Sequence, residues 1–244
     1  MKESIYTIPI NEAFDRRDGC PLCRLFADLD QSSLEYTMGA AMMEPDVRIK
    51  TNEQGFCCRH MQIMLAEKNK LSLALMIESH LPELDKSLFA PAILASGLKP
   101  ERRIPFFSSI VRRRYQKVRE DARKAEQGCF ICSRVSLFMG RYLDNMLHMW
   151  KNEPDFREKF NSQPFFCVPH YADIIERSEH SLPPAHRQEM YRALSGICRL
   201  YLTCLNSDIS EFCKSFDYRN AGRGLGDGAK TAVERARAFL TGGT

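Results

Sequence analysis

Six cysteines and two histidines fall in a pattern with metal-ligand spacing. Cys20-Pro-Leu-Cys23 is followed by Cys57-Cys58-Arg59-His60, and Cys129-Phe-Ile-Cys132 by Cys167-Val-Pro-His170. Each group is a CxxC followed by a CxxH. A turn with two soft ligands three residues apart presents both on one side, and two such turns make a tetrahedral Cys3His zinc site. The spacing therefore predicts two zinc ions per chain. Cys20, Cys23, Cys57 and His60 are expected to hold one, and Cys129, Cys132, Cys167 and His170 the other. An iron–sulfur cluster is less favoured by this ligand set, and the CxxCH of haem attachment is absent.

The two groups are copies. Cys20 and Cys129 stand 109 positions apart, as do Cys23 and Cys132. Glu44-Pro45-Asp46 matches Glu153-Pro154-Asp155, and Arg48, Lys50, Asn52 and Gln54 match Arg157, Lys159, Asn161 and Gln163 at the same offset. One inserted residue then carries Phe56, Cys57 and His60 to Phe166, Cys167 and His170. An internal repeat of this kind outweighs any single motif. It also separates two neighbouring thiols, because Cys57 has a counterpart and Cys58 does not. Four filled positions leave no open one for water or substrate, so the ligand count argues against zinc hydrolysis and for structural metal. Arg24 and Arg59, beside ligands, would offset the negative charge of three thiolates. No GxSxG, HExxH or comparable catalytic signature is present.

The elements that must position these residues are helices. Val135, Phe138, Met139, Tyr142, Met146, Met149 and Trp150 recur at helical spacing after the second CxxC, and Leu25, Phe26, Leu29 and Tyr36 after the first. Pro45 and Pro154 would end these helices, a loop would return to each CxxH, and another helix would begin after each His. Leu194, Ile197, Cys198, Tyr201, Cys204, Leu205, Ile209 and Phe212 mark the buried face of a long helix over 186–215, and a last helix is expected near 231–240. The expected fold is all-α, with two pseudo-repeated helical units each clamped by a Cys3His site, plus the long helix. The expected segments are 1–98, beginning with an irregular lead-in to residue 19, a basic connector at 99–126, and 127–244 with its Gly-rich joint at Gly222–Gly228.

Composition bounds the partners. The chain has 244 residues, 44% hydrophobic and 27% charged, with a net charge of +4. That is globular, and too mildly basic to require nucleic acid or membrane. Residues 99–124 carry ten basic side chains against Glu101, Glu120 and Asp121, so nucleic acid stays open there. The apolar face of Phe107, Ile110, Val111, Tyr115 and Val118 favours an amphipathic helix with a solvated basic side. No apolar run is long enough for a membrane helix. The first residues do not form a signal peptide, so the cytoplasm is the expected compartment, where ten cysteines suit metal better than disulfides. The Gly224–Thr231 stretch lacks the glycine that a phosphate loop places before its lysine. Asp217–Asn220 is a dense polar cluster, expected to end a helix and anchor the tail.

The order CPLC (20–23), MEPD (43–46), GFC..H (55–60), CFIC (129–132), EPDF (153–156), FC.PH (166–170) and FDYRN (216–220) resembles a family of uncharacterised bacterial proteins built on a domain of unknown function. The resemblance spans most of the chain and implies no activity. The leading expectation is a non-enzymatic scaffold or interaction module with a protein partner. The alternative is a thiol-redox or metal-responsive protein in which CPLC and Cys58 react.

Overall fold

A computed structural model describes residues 5–96, 105–220 and 224–243. Among these the chain is helical and no strand occurs. The helices are α1 (Thr7–Asp15), α2 (Pro21–Met38), α3 (Pro45–Gln54), α4 (Cys58–Ala66), α5 (Lys70–Leu84), α6 (Ala90–Ser96), α7 (Pro105–Gln127), α8 (Phe130–Asn152), α9 (Pro154–Asn161), α10 (Val168–Ser181), α11 (Pro184–Lys214), α12 (Asp227–Lys230) and α13 (Ala232–Thr241). The all-α expectation holds. The repeat is visible as α2–α3–α4–α5 followed by α8–α9–α10–α11.

Proline placement accounts for two departures from the sequence reading. Glu-Pro-Asp starts a helix in both copies, not a returning loop. Pro45 and Pro154 occupy the first helical position, where the missing N–H has no intrahelical partner to lose. The lead-in is also helical. Pro9 lies in the first turn of α1, and Ile10, Ala13 and Phe14 are buried. Within the run from α5 to α6, Pro82 precedes a π-helical turn at Asp85–Phe89.

Packing divides the chain into two units, one of residues 1–29 with 137–244 and one of residues 30–136. These cuts fall inside α2 and α8. In the first unit, α1 sets Phe14 against Phe156, Phe160 and Phe166, with ring centroids 5.0–6.2 Å apart. Trp150, fully buried, meets Phe160 edge-on at 6.4 Å and carries the Arg157 guanidinium 4.5 Å above its ring. The Trp150 and Met positions are thus core, as the helical spacing indicated. In the second unit, Val47, Ala41 and Phe130 pack together under Tyr36 and Phe56, and Met64, Leu73 and Met76 are buried.

The long helix α11 buries Met190, Leu194 and Leu205. Cys204 is exposed, correcting its place on the buried face, as is the nearby Cys213, and Cys198 is half-buried with its thiol donating to the Phe166 carbonyl at 3.4 Å. Of the glycine-rich stretch, 222–223 lie outside the described residues, and the part from Gly226 to Gly228 is docked. The Gly226 N–H donates to Glu211 Oε1 at 2.8 Å, and Arg235 binds both Asp208 and the Gly228 carbonyl. The Gly226 amide is occupied by this carboxylate, whose negative charge would repel a phosphate there. Asp217 forks with Arg219 just past α11, where Phe216 and Tyr218 are exposed. That cluster ends the helix locally, whereas the tail is anchored by Asp208 and Glu211.

Candidate metal centres

Each of the four motifs sits at the start of a helix. Cys57 and Cys167 are the N-cap residues of α4 and α10, and their carbonyls accept the first helical bonds, from Met61 at 2.9 Å and Tyr171 at 2.8 Å. Cys20 directly precedes α2, and Cys129 directly precedes α8, where it accepts from Ser133 at 3.0 Å. The second residue of every motif is then the third residue of its helix. The N-cap and third-residue side chains face each other, the geometry of a capping box. A helix N-terminus also favours thiolate, through its partial positive charge and free N–H groups. The Cys132 N–H lies 3.5 Å from Cys129 Sγ in this way.

These helix starts meet across the repeats. Cys20, Cys23, Cys167 and His170 form one group, and Cys57, His60, Cys129 and Cys132 the other. All eight expected residues are brought together, but each CxxC joins the CxxH of the opposite copy, correcting the expected pairing. Each CxxC opens a long helix, 18 residues in α2 and 23 in α8, that carries the chain about 27 and 35 Å before the turn toward its own CxxH.

The geometry fits a tetrahedral ion. In the first group His170 Nδ1 lies 3.1, 3.4 and 3.6 Å from Cys167, Cys23 and Cys20 Sγ, and Cys23 Sγ lies 3.5 Å from Cys167 Sγ. In the second, His60 Nδ1 lies 3.2–3.3 Å from all three sulfurs, and Cys57 Sγ lies 3.8 Å from Cys132 Sγ. Zinc bonds of about 2.0–2.3 Å give tetrahedral edges of about 3.6–3.8 Å. Both sets are near that size, slightly contracted.

The electrostatics ask for a cation. With protons alone, hydrogen bonds from Cys167 and Cys20 hold the Cys23 thiol far below the usual range, while sharing with Cys20 and Cys23 drives Cys167 far above it. Burial pushes Cys20 up to about 12. His170 is pushed up to about 10, its burial outweighed by the thiolates of Cys167 and Cys23. In the second group burial, then Cys129, pushes Cys132 up to about 12. Three packed sulfurs cannot all ionise on their own, and a divalent ion removes that conflict.

The surroundings differ between the groups. In the second, His60 Nε2 faces Asp30 Oδ1 at 2.8 Å, and Arg59 forks onto the same carboxylate. A carboxylate on the far nitrogen of a ligating histidine fixes the tautomer and raises ligand basicity. Burial would lift the Asp30 pKa, but Arg59 and His60 bring it below the usual carboxylate value. Arg24, expected to serve the same site as Arg59, belongs to the first unit. It binds the Ala13 carbonyl at 2.6 Å, the Arg16 carbonyl at 3.1 Å, and Asp18. The segment after α13 lies over part of the first group, beside a cleft of about 520 Å3 lined by Cys20 and Cys23. The Gly243 N–H donates to Cys23 Sγ at 3.3 Å, and a Cβ on Gly242 would lie 3.5 Å from Cys167 Sγ and 3.7 Å from Cys23 Sγ. Gly242 has φ +75°, open only to glycine at low cost. Neither Asp30 nor Gly242–Gly243 was singled out in the sequence, where each stands far from the residues it serves.

The remaining candidates are accounted for elsewhere. Cys58 is exposed and outside both groups. His80 Nδ1–H donates to the Asn52 carbonyl at 2.7 Å, and the ring lines a cleft of about 640 Å3 together with Leu84, Leu94, Arg114 and Asp121. In the basic stretch, Lys99, Arg102 and Arg103 lie outside the described residues, as do the side chains of Phe107, Ile110 and Val111. Arg112, Arg113, Arg114 and Lys117 are exposed on α7. No described helix is long and apolar enough to cross a membrane.

The molecule is thus an all-helical protein with two Cys3His groups that can hold metal. The chain belongs to a family of unknown function, DUF6062, whose model matches residues 1–244. No curated protein and no solved structure matches it.

Proposed function

We propose that the protein binds two structural zinc ions and serves as a non-enzymatic scaffold or interaction module. The observation that supports this most is the pair of four-donor sets, each spaced near a tetrahedral edge and each built from two helix starts of opposite repeats. Three thiolates and one imidazole complete the coordination that zinc prefers, leaving no position for substrate. When bound, the ion would supply charge neutralisation and cross-linking. Cys20 and Cys23 are held to Cys167 and His170 over 144–150 residues, and Cys57 and His60 to Cys129 and Cys132 over 69–75. A reducing compartment such as the cytoplasm keeps these thiols available. Elemental analysis of reduced, untagged protein purified without chelator tests the reading. Two zinc ions per chain are expected. Less than one would overturn it, and iron with visible absorbance would replace zinc by a cluster.

A further inference from the structure

The two groups differ in access, and that difference carries a second role. In the first, Cys20, Cys23 and Cys167 are each no more than 5% exposed, and Gly242–Gly243 lies over the sulfurs. In the second, Cys129 and His60 are buried, but Cys57 is half-buried and Cys132 is exposed. The sulfur open to solvent therefore belongs to CFIC. The CPLC motif, which read as the redox-like one, is buried at the edge of a cleft.

We infer that the Cys57/His60/Cys129/Cys132 group is a peroxide-sensitive switch that releases its ion through oxidation of Cys132, while the buried group keeps its own. The inference rests on the reading that both groups hold zinc. The co-reactant is a peroxide. The Cys132 thiolate attacks one peroxide oxygen, the O–O bond breaks, and sulfenic acid and hydroxide form. A second thiolate of the group then attacks the Cys132 sulfur and displaces a second hydroxide as the S–S bond forms. Cys57 is the more accessible candidate, with its Sγ 3.8 Å from that of Cys132. Two electrons pass from two thiolates to the peroxide, and two protons from solvent complete two waters. Only two of the four donors, a thiolate and an imidazole, then remain for the ion. Reduction by a small thiol regenerates the set. Exposure and thiolate character are the two properties that select a cysteine for this chemistry. Zinc, when bound, would hold the sulfurs of both groups as thiolates, and those of the first group lack the access.

The test uses full-length, zinc-loaded protein carrying Cys58→Ser, Cys204→Ser and Cys213→Ser. These remove exposed thiols that lie outside both groups. Elemental analysis before treatment settles separately whether two ions are present. If they are absent, the structural-zinc reading fails on that measurement alone. With loaded protein, a few equivalents of hydrogen peroxide and a chromophoric chelator are expected to release one zinc per chain. Peptide mapping is expected to find Cys132 in a disulfide with Cys57 or Cys129, and Cys20, Cys23 and Cys167 still reducing. Added dithiothreitol and zinc should restore two ions. Release of both ions together, release of neither, loss from the buried group first, or one release with Cys132 still a free thiol would each overturn the switch.

Discussion

At the scale of single residues, the pairing makes an expectation that a within-repeat arrangement would not. Cys57→Ser should empty the group containing Cys129 and Cys132 while Cys20, Cys23, Cys167 and His170 keep their ion. Metal content would fall from two to one per chain, and the melting temperature would drop sharply, because structural zinc is worth on the order of 10 kcal/mol. Cys58→Ser, at an exposed position, should leave both content and melting temperature unchanged. An unchanged metal content in Cys57→Ser would remove this turn from the site. Asp30→Asn addresses the far side of His60. It should weaken the second ion by about 10- to 100-fold in chelator competition and leave the first unaffected. Equal weakening of both would show that Asp30 acts on the fold and not on its histidine. The eight ligands were legible because their chemistry is written in residue type and short spacing. Asp30 and Gly242 were not, since their roles depend on proximity created only by folding.

At the scale of elements, the tight approach between Gly128 and the end of α3 should govern whether the second site closes. A Cβ on Gly128 would stand 2.3 Å from the Gln54 carbonyl oxygen, next to the bond from the Phe130 N–H to the Gly55 carbonyl at 3.0 Å. Gly128→Ala should therefore cost on the order of 3 kcal/mol and loosen the second ion. Gly196→Ala, with open space around it in α11, should instead stabilise by about 0.5–1 kcal/mol through helix propensity. Chemical denaturation of the two variants checks both signs. On α7, replacing Arg112, Arg113 and Arg114 with Gln should preserve the melting temperature, because all three are exposed. Tight, salt-sensitive DNA or RNA binding lost in that variant would give the basic face a role it lacks in our reading. Helical periodicity made α2, α8 and α11 readable. The short helices α1, α3 and α9 were missed because prolines in their first turns read as breaks.

At the scale of the molecule, the metal should be part of the fold's stability. Stripping zinc with a strong chelator under reducing conditions should lower helicity and melting temperature, and adding zinc should restore both. Retention of full helicity and melting temperature without metal would assign the cores, not the ions, the decisive role. The cores are substantial, with Phe14, Phe156, Phe160, Phe166 and Trp150 nearly fully buried in one unit alone. The duplication was plain in the sequence at this scale, but its consequence for connectivity was not. A repeat says which residues are equivalent. It does not say whether equivalents serve together or trade partners, which only the folded arrangement reveals.

The crossed pairing also bears on ancestry. A lone repeat carries one CxxC and one CxxH, yet its own helices hold them apart. Two separate copies of such a repeat could satisfy both by exchanging CxxH arms about a twofold axis, giving a symmetric dimer with two identical sites. Fusing the copies head to tail would make that exchange intramolecular and free the halves to diverge. One site now has Asp30 behind its histidine and an exposed cysteine, and the other has Gly242–Gly243 over its sulfurs. A segment ending before Cys129 would hold half of each site and the whole of neither. On this account it should bind zinc tightly only by pairing with a second copy of itself.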